Sequence, residues 1–114
     1  MRLIYSDAFK RQLRQLAKRY RHIHSDLQPV LDQLQAGDTP GDQVPGTGYT
    51  LYKVRIPNRD ARRGRSGGYR VIYYLQTGSD RLLVTIYSKS DQADVAAAEL
   101  RKIIETQDAG TKGV

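Results

Sequence analysis

With 114 residues, the chain has room for one domain with one core, and a chain of this size buries roughly two-thirds of its unfolded surface without staples. The absence of cysteine excludes disulfides, a thiol nucleophile and thiolate metal sites. No stretch has the apolar length of a signal peptide or a membrane span, so a cytoplasmic protein with no membrane partner is expected, and a net charge of +7 favours a polyanionic or acidic partner.

Residues 2–5 alternate and predict a short strand. Ser6 is a good helix N-cap, with Asp7 favourably placed in the first turn. Phe9, Leu13, Leu16, Ala17 and Tyr20 then recur at helical spacing, while Lys10, Arg11, Arg14, Lys18, Arg19 and Arg21 form a basic block without an internal acid. The chain pauses at residues 22–24. Asp26 is the expected cap of a second helix, which puts Pro29 in the first turn, and Gly37 ends it.

Residues 37–48 (GDTPGDQVPGTG) read as loop. The period then switches to two: TLYKVRI, GGYRVIYYLQT and RLLVTIYSK predict three strands, with a hairpin turn at residues 77–80. An Arg/Gly-rich loop, PNRDARRGRSGG, joins the first two of these. Ser90 or Asp91 is the expected cap of a last helix through Thr106. Residues 1–106 are thus expected to form one domain and 107–114 a flexible tail. The predicted order is β-α-α-β-β-β-α, an α+β fold in which an antiparallel sheet carries an N-terminal helical pair and a C-terminal helix.

Residues two apart on a strand share a face. Lys53 and Arg55 therefore point with Leu51, Arg70 with Ile72 and Tyr74, and Tyr87 with Leu83, Thr85 and Lys89. If the helical pair covers one face, these sets gather on the other around a shallow cationic site. Arginines offer bidentate hydrogen bonds to phosphate oxygens, and tyrosines orient groups or stack on unpaired bases. A lysine crowded by arginines holds its proton less firmly and becomes available as a base. No carboxylate cluster suits Mg²⁺, and the His22/His24 pair lacks further ligands, so neither metal nor cofactor is assigned.

The stretch LYKVRI…SGGYRVIYYL…LLVTIYSKSDQADV resembles the RelE/ParE superfamily of type II toxin–antitoxin toxins, and within it the HigB-like branch. With the helical pair, the likeness covers residues 3–105. It implies a RelE-like (microbial-ribonuclease-like) fold and a ribosome-dependent endoribonuclease that cuts mRNA. In that chemistry the 2′-hydroxyl attacks the adjacent phosphate and leaves a 2′,3′-cyclic phosphate, without a cofactor. By position, the resemblance gives Lys53, Arg55, Arg70 and Lys89 catalytic roles. The C-terminal tyrosine of some relatives has no counterpart, and Tyr87 or Tyr74 is the candidate replacement.

The implied partners are a cognate antitoxin of helix-turn-helix, HigA-like type, the ribosome and mRNA, with operator DNA reached only through the antitoxin. Arg59, Arg62, Arg63 and Arg65 would contact RNA or an acidic antitoxin segment, with Tyr74 as an RNA-stacking residue. Plainer readings stand beside these: a solvated arginine loop, a packing role for Tyr74, and edge-strand charges at Lys53 and Arg55 that discourage aggregation. Two other functions share the composition. A ParE-like relative would inhibit gyrase without cutting RNA, and a simple RNA-binding module would bind without cleavage.

Overall fold

Ser6 sits where the first strand ends and the first helix begins, and its hydroxyl serves both. The side chain is buried, accepts from the backbone N–H of Phe9 at 2.9 Å and donates to the Val84 carbonyl at 2.7 Å. One atom thereby caps the helix and ties it to the sheet. Ser6→Ala is expected to lower stability by about 1–2 kcal/mol, because a cap is lost and a buried carbonyl loses a donor. Urea unfolding checks this.

The structure, a computed structural model, describes residues 1–60 and 68–112, with side chains as far as Gln107. Its elements are β1 (Arg2–Tyr5), α1 (Asp7–Arg19), α2 (Ile23–Gln35), β2 (Asp42–Val44), β3 (Leu51–Ile56), β4 (Tyr69–Leu75), β5 (Asp80–Ser88) and α3 (Ala97–Lys112). They form a five-stranded sheet in the order β1-β5-β4-β3-β2. The α+β class and the order of the three helices match the sequence reading. The sheet, however, is mixed: β1 runs parallel to β5, and only the other pairs are antiparallel.

Three element boundaries differ from the periodicity, each for a physical reason. The second helix starts at Ile23, before Asp26, and carries Pro29 in its interior. Starting there adds the fully buried Ile23 to the Leu27–Val30–Leu34 stripe, which outweighs the hydrogen bond that Pro29 cannot donate. Its end follows expectation. Gly37 has φ 96°, its N–H reaches the Leu34 carbonyl and the Asp38 N–H reaches that of Gln33, a Schellman closure that favours glycine.

Within the predicted loop, residues 42–44 pair with β3 as an edge strand. Gly41 allows this, since a Cβ there would lie 2.3 Å from the Lys53 carbonyl oxygen. The third difference is α3, which begins at Ala97 rather than at Ser90 or Asp91 and continues past Thr106 to Lys112. The residues before it form an irregular strap, because Asp91 is held by Arg19 of α1 at 2.7 Å instead of capping a helix.

Two apolar clusters sandwich the sheet. On one face, Phe9 and Leu16 of α1 and Ile23, Leu27, Val30 and Leu34 of α2 meet Val54, Ile56, Tyr69, Val71, Tyr73, Leu83 and Ile86. On the other, Leu100 and Ile104 of α3 meet Leu51, Ile72, Leu82, Val84 and Tyr87. Among the described residues, no helix is long and apolar enough to cross a membrane.

Strand β5 carries an irregularity that strict alternation misses. Thr85 opposes Ile72 but Leu83 opposes Tyr73, so Val84 is an extra residue. Such a bulge resets which residues share a face. Leu83, expected beside Tyr87, lies in the cluster under α1 and α2, whereas Tyr87 keeps to the other face.

Candidate functional site

The pairing of three strands builds the site. Arg55 on β3 lies directly opposite Arg70 on β4, and Arg70 lies directly opposite Tyr87 on β5. Directly opposed residues share a face with Cβ atoms about 5 Å apart, and opposed like charges are unfavourable. The fold therefore roots two arginines at directly opposed positions, where both can reach one anion. Arg70 also donates to the Tyr69 carbonyl at 3.2 Å.

Lys53 stands in the next row, opposite Ile72 and, beyond it, Thr85. Lys89 leaves the end of β5, and its ammonium donates to the Ala93 carbonyl at 2.9 Å. The gathering of Lys53, Arg55, Arg70 and Tyr87 at neighbouring positions on one face follows from the period-two pattern, and Lys89 lies just past the end of β5. The bulge was invisible to that pattern, but it falls upstream of Tyr87 and leaves the pairing with Arg70 intact.

Sequence reasoning missed one member. Asp94, on the strap before α3, brings Oδ1 to 3.4 Å from Lys53 Nζ and 3.5 Å from the Tyr87 hydroxyl. The same oxygen accepts the backbone N–H of Val95 at 2.8 Å. That hydrogen bond, against the opposing effect of burial and with help from Lys53 and then the Lys89 charge, holds the carboxyl below the usual aspartate range. Tyr87 shifts the opposite way. Burial, then the Asp94 charge, pushes its phenol up, with Arg70 pulling against them. Asp94 carried no local signal, since its partner Lys53 lies 41 residues earlier in the chain.

The remaining predicted residues lie elsewhere. Tyr74 shares the face of Arg70, but four residues of extended strand put it about 13 Å further along. There it packs edge-on against Tyr49, with ring centroids 5.2 Å apart, beside the α3 cluster. Arg59 turns towards α2. Its Nε–H donates to Asp26 Oδ1, its terminal N–H to Ser25 Oγ at 2.6 Å, and its backbone N–H to Asp26 Oδ2 at 3.0 Å. Arg62, Arg63 and Arg65 fall outside the described residues.

His22 contacts Asp60 through Nδ1 and donates its backbone N–H to the same carboxylate, both at 2.7 Å. These bonds, the backbone one first, hold the Asp60 carboxyl below its ordinary range. Among the described residues, no group of three or more His, Asp or Glu side chains is placed to hold a metal ion.

A cleft of about 310 Å³ opens beside Tyr87, between α1 and the end of β5, with Gln12, Arg19, Ser88 and Gln92 on its walls. A larger one, about 890 Å³, separates α1 from α3 and contains none of the cationic row. The chemistry available is therefore anion binding by two opposed arginines, flanked by a lysine, a protonated phenol and an ionised carboxylate.

A family model described as the RelE toxin of the RelE/RelB toxin–antitoxin system matches residues 4–111. That span runs from the middle of β1 to one residue short of the end of α3 and takes in β3, β4 and β5, which build the site. The chain belongs to the RelE toxin family and is a toxin of a toxin–antitoxin system, with a cognate antitoxin as its partner.

Proposed function

We propose that this toxin is a metal-independent endoribonuclease of the HigB-like branch that cuts mRNA bound to the ribosome and so halts translation in the cytoplasm. The carrying observation is the row Arg55–Arg70–Tyr87, flanked by Lys53 on β3 and by Lys89 just past the end of β5. Family membership supports the reading, because toxins of this family are generally endoribonucleases. Arg55 and Arg70 bind the scissile phosphate and gain strength as negative charge builds on its equatorial oxygens. Lys53 and Lys89 add to that field. Tyr87, held protonated by its surroundings, hands its proton to the departing 5′-oxygen. The antitoxin is a helix-turn-helix protein of HigA-like type that blocks access to this face.

The test is to add the purified toxin to ribosomes translating a defined mRNA, and in parallel to a gyrase supercoiling reaction. Cut mRNA ending in a 2′,3′-cyclic phosphate, with gyrase unaffected, is expected. Intact mRNA with inhibited gyrase would replace this reading with a ParE-like one. Salt-sensitive RNA binding without cleavage would leave only a binding module.

A further inference from the structure

Cleavage by the 2′-hydroxyl needs a group that takes its proton, and the cationic row does not contain one. Other acids on neighbouring segments are engaged elsewhere: Asp91 with Arg19, Asp60 with His22, and Asp26 with Arg59. We propose that Asp94 is the general base of the reaction, a role that rests on the nuclease reading above.

Its placement suits the role. The side chain is 65% exposed, so substrate can reach it, yet it stands within contact of Lys53 and Tyr87. All three of its hydrogen bonds fall on Oδ1, and Oδ2 accepts none from the described residues. That oxygen is left to receive a proton. The strap fixes the carboxylate before substrate arrives. The Arg19–Asp91 ion pair anchors one end, Lys89 binds the Ala93 carbonyl, and the Gln92 amide donates to the Asp94 carbonyl at 3.1 Å.

Around neutral pH the two titrating groups hold complementary forms, a carboxylate and a phenol, as an acid–base pair requires. The step balances. The 2′-oxygen bonds to phosphorus as its proton passes to Asp94, the bond to the 5′-oxygen breaks, and that oxygen takes the Tyr87 proton. The products are the 2′,3′-cyclic phosphate and a 5′-hydroxyl. The protonated Asp94 then releases its proton to solvent and the Tyr87 phenolate takes one up, which restores both groups.

The experiment compares wild type, Asp94→Asn and Asp94→Ala on ribosomes programmed with a defined mRNA, under single-turnover conditions. Affinity for a short single-stranded RNA is measured alongside by fluorescence anisotropy. Asp94→Asn keeps an acceptor for the Val95 N–H and removes only the basicity. It is expected to cleave about 100-fold more slowly or worse. It should bind RNA as tightly as wild type or more tightly, because a negative charge has left a cationic site. Added formate should restore part of the Asp94→Ala rate in proportion to its concentration.

If wild type cuts and Asp94→Asn cuts within a factor of three of it, the base assignment fails and the nuclease reading stands. Loss of both cutting and binding in Asp94→Asn, or no response of Asp94→Ala to formate, makes Asp94 structural and also overturns the proposal. If wild type leaves the mRNA intact, the nuclease reading itself falls.

Discussion

Replacing Arg70 with alanine is expected to abolish growth arrest on induction and to slow mRNA cleavage about 100- to 1,000-fold, with folding unimpaired. The magnitude is that of deleting one donor aimed at charge that develops in a transition state. Arg70 occupies the middle of the row, between Arg55 and Tyr87, so it alone has a cross-strand neighbour within the row on both sides. The substitution removes the Arg70 hydrogen bond to the Tyr69 carbonyl along with an opposed pair of like charges, effects of opposite sign. The melting temperature should therefore move by only a few degrees while activity collapses. Arg70→Lys should recover little, since an ammonium cannot reproduce a planar two-pronged contact with phosphate. Primer extension on transcripts from briefly induced cells, with a melt of the purified variant, reads both quantities. An alanine variant that still cuts at wild-type rate removes Arg70 from the mechanism.

Arg59 presents the reverse case, an arginine whose loss should damage the fold and spare the chemistry. The Asp26 side chain is only 3% exposed, and its charge is met by Arg59, which remains 59% exposed. Arg59→Ala strands a buried carboxylate with one backbone N–H as its remaining described donor. The expected cost is about 2–3 kcal/mol, below the 3–5 kcal/mol of a fully buried pair because water reaches the guanidinium side. Asp26→Ala should cost less, as it leaves a cation that water can solvate. Removing both partners should cost less than the sum of the single losses. Urea unfolding of the three variants measures the coupling. Cleavage by Arg59→Ala, assayed well below its melting temperature, should stay near wild type. A large drop there, with stability unchanged, would return Arg59 to RNA contact.

How much of this was legible in the sequence depends on the range of the interaction involved. Local periodicities served well. The spacing of Phe9, Leu13 and Leu16 marks the first helix, and alternation in LYKVRI and GYRVIYY puts Lys53, Arg55 and Arg70 on a common face. Non-local pairings left no trace. The Val84 bulge is set by how β5 meets β4, so Leu83 was placed on the wrong face. The late start of α3 reflects Arg19 capturing Asp91, a contact 72 residues long. Arg59 looked like one more cation in an arginine-rich loop until Asp26, 33 residues away, was seen to claim it. Asp94 escaped notice for the same reason.

The place of β5 in the sheet also constrains the order in which the molecule can assemble. That strand is the neighbour shared by β1 and β4, and among the described residues β1 has no other partner in the sheet. The Arg2–Asp80 bridge that joins the first strand to it spans 78 residues. During synthesis the first strand must therefore wait for its sheet partner until residues 80–83 have emerged. Closing such distant contacts also slows folding once synthesis is complete.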